Sequence, residues 1–242
     1  MQKWLQRRGA GSKADVRTWI TEGRVTLDGE VARRFAEPVV EGAVVAVDGD
    51  PVGEGARRVV YAMHKPKKHL TTPEDLARYL PKDAPYVFPV GRLDYNTEGL
   101  LLWTNDGALG RRILHPESHL PKVYHVKVRG HLDEADPGLA AMREGMDLGD
   151  FTSRPSPTRI VVFRTRATWI EVILTEGKFR QVRRMCRKAG YQIVKLRRQS
   201  IGPVGLGELT PRCVRELDGD EVAGLDAAFA LVPEPDMRTT DE

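Results

Sequence analysis

"GRLDYNTEGLLLWTNDG" runs from Gly91 to Gly107. It sets an aspartate, Asp94, between Leu93 and Tyr95, just ahead of a long apolar run. A carboxylate in such company is paired, protonated or reactive. Leu100 to Trp103 reads as a buried strand, and Thr104 to Gly107 is a turn signal. The helix expected after the turn runs into His115-Pro116. Asp94 therefore sits at the edge of a buried element, held by a core and open to a cleft, where a catalytic carboxylate belongs. The other local reading is an Asx-type hydrogen bond from Asp94 that caps the Asn96-Thr97 turn.

Working outward, residues 1–50 read as a small unit. Ser12 is placed to cap a helix carrying Val16, Trp19 and Ile20 on one face, and Gly23 to end it. "RVTLDGE" predicts a short strand with a turn at Asp28-Gly29, and Ala43 to Asp50 another strand. Residues 51–58, rich in glycine and charge, read as a linker. A larger unit, 59–232, opens with the strand "VVYAMHKP". It continues with "YHVKVRGHL", "RIVVFRTR" and "TWIEVILTEG", then a helix over roughly Phe179 to Ala189. Strands and short helices mix without a βαβ repeat, which predicts an α+β fold with a mixed, largely antiparallel sheet. Residues 233–242 read as a frayed tail.

The formal net charge of +4 over 242 residues says little by itself. Between Glu176 and Arg198, however, nine basic residues (Lys178, Arg180, Arg183, Arg184, Arg187, Lys188, Lys195, Arg197, Arg198) face that one acid. Such a concentration predicts contact with phosphates. Two cysteines, Cys186 and Cys213, cannot build a disulfide scaffold, and they read as free thiols of a reducing compartment. Cations near Cys186 predict a favoured thiolate. No apolar segment of membrane-spanning length occurs, so a cytoplasmic protein with no membrane partner is expected. No Walker loop, His/Cys metal cluster or dinucleotide fingerprint is present, so no cofactor is expected.

The opening stretch resembles the aspartate motif of the RsuA/RluB-type pseudouridine synthases: Gly-Arg-Leu-Asp, then Thr97, Gly-Leu-Leu-Leu and Thr-Asn-Asp-Gly. "KVYHVKV" (Lys122 to Val128) resembles the family's Lys-x-Tyr strand, and "LTEGKFRQVRRMCRKAG" (Leu174 to Gly190) its third motif. "HKP" (His64 to Pro66) matches the opening strand. "SKADVRTWITEGRVTLDGE" is similar to the S4 RNA-binding domain that precedes such catalytic domains. The likeness covers residues 1 to about 222. The chain departs from the family at Lys67-Lys68-His69, where a glycine is usual.

The resemblance implies a pseudouridine synthase fold behind a small α+β S4-like domain, and an isomerase that moves uracil from an N1 to a C5 glycosidic bond. It implies that Asp94 acts on the ribose as nucleophile or base, that Arg183 pairs with it, and that Tyr124 stacks on the target base. Arg92, two residues from Asp94 on an extended segment, can enter the same site and fill the gap left by a flipped uridine. Its alternative is an ion pair with Glu98. Lys122 is expected as a phosphate or orienting contact. Lys178, Arg180, Arg184 and Arg187 are expected to contact RNA, as are Lys13, Arg17 and Arg24 of the S4-like unit. The expected partner is ribosomal RNA in an assembling subunit, bound by a monomer. Met142 to Asp150 and Ile201 to Val222 look more like members acting on large-subunit (23S) rRNA than on 16S rRNA. Two other classes fit parts of the pattern. One is a non-catalytic RNA-binding assembly factor, which would lack Asp94, Tyr124 or Arg183. The other is a carboxylate-dependent hydrolase, which needs a second catalytic carboxylate.

Overall fold

The computed structural model describes residues 1–53, 57–164 and 166–229. In the N-terminal unit, α1 (Gln2–Arg7) and α2 (Lys13–Thr21) lie on a four-stranded antiparallel sheet. Its strands are β1 (Val25–Leu27), β2 (Glu30–Val31), β3 (Val45–Val47) and β4 (Asp50–Pro51), in the order β2-β1-β3-β4. Ser12 and Asp15 form a reciprocal capping box at the start of α2, and Val16 and Ile20 bury its inner face with Leu5, Val25 and Val45. The hairpin turn needs positive φ at both central residues, and Asp28 and Gly29 supply it at 50° and 86°. One boundary moves: Asp50–Pro51 pairs with β3, so the expected linker from residue 51 begins inside the sheet. Residues 54–56 of that linker, and the tail 233–242, lie outside the described residues.

The larger unit is α+β. Its sheet has the order β13-β5-β7-β11-β8-β10-β9, with β12 on β11 and β6 on β7. The strands are β5 (Val60–Lys65), β6 (Phe88–Val90), β7 (Glu98–Thr104), β8 (Lys122–Arg129), β9 (Thr158–Arg164), β10 (Ala167–Leu174), β11 (Ile193–Ile201), β12 (Val204–Gly205) and β13 (Val214–Glu216). All pairings are antiparallel except β7 with β11, which touch at Glu98–Arg197 and Gly99–Arg198. The helices are α3 (Pro73–Leu76), α4 (Gly107–Leu114), α5 (Pro137–Glu144), α6 (Gln181–Lys188) and α7 (Gly219–Ala227).

Strand β7 is buried along its whole length. Leu100 and Leu102 enter one apolar core, and Leu101 and Trp103 another on the opposite face. A strand buried on both sides has no polar alternation, which is why its sequence is a continuous apolar run. Gly99 lets β7 reach β11. A Cβ there would stand 2.3 Å from the Arg198 carbonyl oxygen, and φ is 113°. Beyond that crossing β7 leaves β11 and pairs with β6 instead. The loop before β7 ends at the crossing with β11.

Strand β11 is the element that the residue pattern did not reveal. It pairs with β7, β8 and β12, although its sequence, IVKLRRQSI, carries three of the basic residues assigned above to phosphates. Helix α6 begins two residues later than expected, because Arg180 takes a left-handed φ of 51° and serves as the N-cap.

Candidate active site

Asp94 sits in the loop between β6 and β7. The loop is fixed from below. Leu93 is buried, and its amide and carbonyl both bond Thr71 Oγ1, at 3.0 and 2.8 Å. The Thr97 amide donates to the Asp94 carbonyl at 2.9 Å, closing a tight turn. That bond uses the backbone of Asp94, so the side chain does not cap the turn. Beneath it lies Lys65, fully buried at the end of β5. Its ammonium donates to the carbonyls of Pro66 (3.0 Å), Thr97 (3.0 Å) and Asp94 (3.3 Å). Burial pushes the Lys65 pKa down to about 8, against a smaller pull from Asp75 and Asp94.

The Asp94 carboxylate meets α6. Arg183 Nε donates to Asp94 Oδ2 at 3.1 Å, while its Nη2 donates to the Asn96 carbonyl and Thr97 Oγ1, both at 2.9 Å. One guanidinium thus holds the carboxylate and the turn that carries it, which a planar fork can do and an ammonium cannot. Arg180 Nη1 stands 3.9 Å from the same oxygen. Among the described residues no hydrogen-bond donor reaches Asp94 Oδ1. That oxygen is available to a substrate.

The cleft around Asp94 is lined by Arg92, Tyr124, Lys178, Arg180 and Arg183, with Leu174, Val182 and Leu196 as an apolar wall. On β8, Tyr124 lies opposite Val172 of β10 and Arg198 of β11. Arg92 is exposed at the rim. Its expected alternative partner, Glu98, is engaged elsewhere: Lys195 and Arg197 approach it at 2.8 and 2.7 Å. Burial works against the charge of Glu98, but these two cations outweigh it and hold its carboxyl below the usual range.

Several expected contacts lie apart from the cleft. Lys122 is buried behind Tyr124 with its ammonium on the Leu120 carbonyl at 3.1 Å. Burial and then Arg198 push its pKa down to about 8. It is out of reach of a phosphate. Arg184 points away from Asp94 and is spent on the Leu148 carbonyl (2.6 Å) and the Asp150 carboxylate, with the Phe151 ring beside it. Arg187 is exposed one turn further along α6. Arg24 is held bidentately by Asp48, at 2.8 and 2.6 Å, with Glu22 alongside. Arg17 stacks over Phe35, and Lys13 is exposed. The concentration of charge between residues 176 and 198 is therefore partly internal. Lys195 and Arg197 neutralise Glu98, and Arg198 is buried with Nε on the Leu100 carbonyl at 2.8 Å. Cys186 is likewise buried in the core of α6, and burial pushes its thiol up to about 12, the reverse of the activation its neighbours suggested.

The residues given no role from the sequence are the supporting ones: Lys65, Thr71, Gln181, Leu174 and Leu196. The signals for Lys65 were a lysine closing a largely apolar strand and the His64 to Pro66 motif match. Gln181 is buried and staples the third-motif loop, donating to Glu176 Oε1 (2.5 Å) and accepting from the Lys178 amide (3.2 Å).

Comparison with known proteins gives the family of the chain. Residues 59–188 match the family of RNA pseudouridylate synthases, and residues 2–45 match the S4 domain. An "Uncharacterized RNA pseudouridine synthase" of Aquifex aeolicus is 39% identical, with 98% of each chain covered. The "Ribosomal large subunit pseudouridine synthase B" of Shigella flexneri is 34% identical, covering 100% of this chain and 87% of that one. The protein of the same name from Pseudomonas aeruginosa is 34% identical over 96% of this chain and 63% of its own. A crystal structure of a pseudouridylate synthase superposes with a TM-score of 0.65 at 23% identity, covering 93% and 98% of the two chains, and so shares the fold.

Proposed function

The chain belongs to the RNA pseudouridine synthases, which are isomerases, and we propose on that premise that it acts on one uridine of ribosomal RNA, in the large subunit, with Asp94 as the group that engages the ribose. One observation carries the reading: an aspartate whose Oδ2 is held by Arg183 and whose Oδ1 is open to a cleft bearing Tyr124 and Arg92. The reaction breaks the N1–C1′ bond, turns the uracil, forms the C5–C1′ bond and moves one proton from C5 to N1. A carboxylate serves it either by attacking C1′ or by taking the C2′ proton, and both need the same placement against the ribose. Arg183 orients that carboxylate. Tyr124, backed by the apolar wall, is placed to stack on the base, and Arg92 at the rim to occupy the space the uridine vacates.

The names of the Shigella and Pseudomonas relatives support the large subunit as the target. The S4 domain supports a second contact on the same RNA, and joining two contacts raises the effective concentration of each at an extended substrate. Lys178 and Arg180 at the cleft, with Lys13 and Arg17 on α2, are the exposed cations that suit phosphates. A cytoplasmic protein acting on a subunit under assembly is part of this reading.

The test is carbodiimide mapping of pseudouridine in unmodified large-subunit and small-subunit rRNA transcripts, with wild-type protein and with Asp94→Asn. A single new stop in the large-subunit transcript, absent with Asp94→Asn while RNA affinity is retained, is the expected result. A stop that survives Asp94→Asn would overturn the role of Asp94. A stop in the small-subunit transcript would overturn the choice of subunit.

A further inference from the structure

Two exposed aromatic side chains stand at the mouth of the cleft with no role in the chemistry above. Phe179 is 77% exposed, between Lys178 and Arg180, which both line the cleft. Tyr95 is 50% exposed and follows Asp94 directly. The side chains of Asp94 and Arg180 approach to 3.9 Å, so the segments that carry the two aromatics meet at the site.

Both segments are held in conformations that cost free energy. Arg180 takes φ 51° and Lys68 takes φ 61°, the left-handed region in which a side chain is disfavoured. Lys68 lies beside Tyr95, and its amide donates to the Tyr95 carbonyl at 2.7 Å. A cation thus occupies a turn that glycine would adopt freely. On the other segment, Gln181 bonds Glu176 and the Lys178 amide, and Glu176 also accepts from the Arg154 amide at 2.9 Å. The lips are therefore fixed, with an aromatic ring and a cation on each.

We infer that Tyr95 with Lys68, and Phe179 with Lys178 and Arg180, form a clamp for the single-stranded nucleotides on either side of the target uridine, the two rings stacking on their bases. This rests on the reading of a flipped uridine. When that base leaves its stack, each flanking base loses a stacking face. An exposed ring on a rigid segment replaces it without regard to base identity, and the adjacent cations meet the phosphates. The surroundings favour RNA over a protein partner, since Lys68 is exposed and bonds the Tyr95 backbone, Lys178 and Arg180 flank Phe179, and Arg92 lines the same cleft. The substrate class that follows is a uridine in an unpaired segment.

The experiment uses the full chain and fluorescence anisotropy of two labelled RNAs, decauridylate and a short mixed-sequence duplex. Phe179→Ala and Tyr95→Ala are expected to weaken decauridylate binding by about 5- to 100-fold each, the worth of one base stack. Phe179→Tyr should restore it, and duplex affinity should stay unchanged in all three. Both alanine variants binding decauridylate as the wild type does, or losing the two RNAs in equal measure, would overturn the clamp. Because the assay needs no turnover, it separates the two readings. If the wild type modifies rRNA while the alanine variants bind normally, the clamp alone fails. If the wild type modifies neither transcript, the functional reading fails whatever the binding shows.

Discussion

Replacing Lys65 by methionine tests the foundation of the site. The ammonium is buried with three backbone carbonyls as its acceptors, two of them from the ends of the Asp94–Thr97 turn. A folded-state pKa of about 8 against the usual 10.5 means that the charged form is disfavoured in the folded chain by roughly 3 kcal/mol, net of the bonds that hold it. The methionine variant leaves the three carbonyls without their donor, and its destabilisation at neutral pH is roughly 1–5 kcal/mol. The pH dependence is more specific. Below pH 8 both folded and unfolded chains hold the proton, and above 10.5 neither does. Between those values the unfolded chain binds more protons, so wild-type stability rises with pH. Lys122, also lowered to about 8, contributes a second rise of the same size. Above pH 9 the Cys186 thiol, raised from 9.0 to about 12 in the folded chain, adds an opposite slope, so the clean window is pH 8 to 9, where urea unfolding should show the wild-type slope and Lys65→Met about half of it. Turnover of rRNA should fall about 100-fold, the usual effect of displacing a reacting group by ~1 Å, with RNA affinity unchanged. A variant with the full wild-type slope and wild-type turnover would refute the claim that a buried ammonium positions Asp94.

Other outcomes follow from the same geometry. Arg183→Met should lower single-turnover rates by about 10- to 100-fold, the worth of a charge-assisted hydrogen bond to Asp94, whereas Arg184→Met loses contacts to Leu148, Asp150 and Phe151 that lie away from the carboxylate and should stay within a few-fold. Equal losses would make Arg183 one phosphate contact among several. Gly99→Ala places a methyl group 2.3 Å from a backbone oxygen at φ 113°, and urea titration should register a loss of roughly 2–5 kcal/mol; a near-neutral change would mean that β7 and β11 are not locked there. Cys186, buried and raised to about 12, should resist a thiol reagent until the protein unfolds, while exposed Cys213 reacts at once. Rapid labelling of both in native protein would contradict that burial.

What could be read in the chain follows from the range of the forces involved. The Ser12 cap, the Asp28-Gly29 turn and the buried β7 each depend on residues within one turn or one strand of each other, and each left a local pattern. The Asp94 loop was visible for the same reason, since a turn and an apolar run bracket it. Its supports were not. Thr71 lies 22 residues from Leu93, Lys65 lies 29 from Asp94, and Arg183 lies 89 from Asp94. No spacing rule reaches that far, and of these three only Arg183 was expected, through likeness to a family motif.

Strand β11 shows why charge is a poor guide to surface. Its arginines and lysine look solvated because burying a charge without a partner is prohibitive. Yet Glu98, 99 residues away from Arg197, is brought opposite it by the parallel crossing that Gly99 permits. Once that partner is in place, the same cations can sit within the sheet, and β11 can run through the middle of the domain. Of the cations left over, Lys178 and Arg180 stand on the loop before α6 and face the cleft, while Arg187 and Lys188 are exposed in its last turn. One basic segment thus divides by function. Its strand half balances a buried carboxylate beside the Asp94 turn, while its loop half stays unspent at the mouth, where a polyanion would approach. A substitution such as Glu98→Gln tests this division directly. It strands Lys195 and Arg197 without their carboxylate, and should cost about 3–5 kcal/mol of stability while leaving the cations at the mouth, and so the salt dependence of RNA binding, as they were.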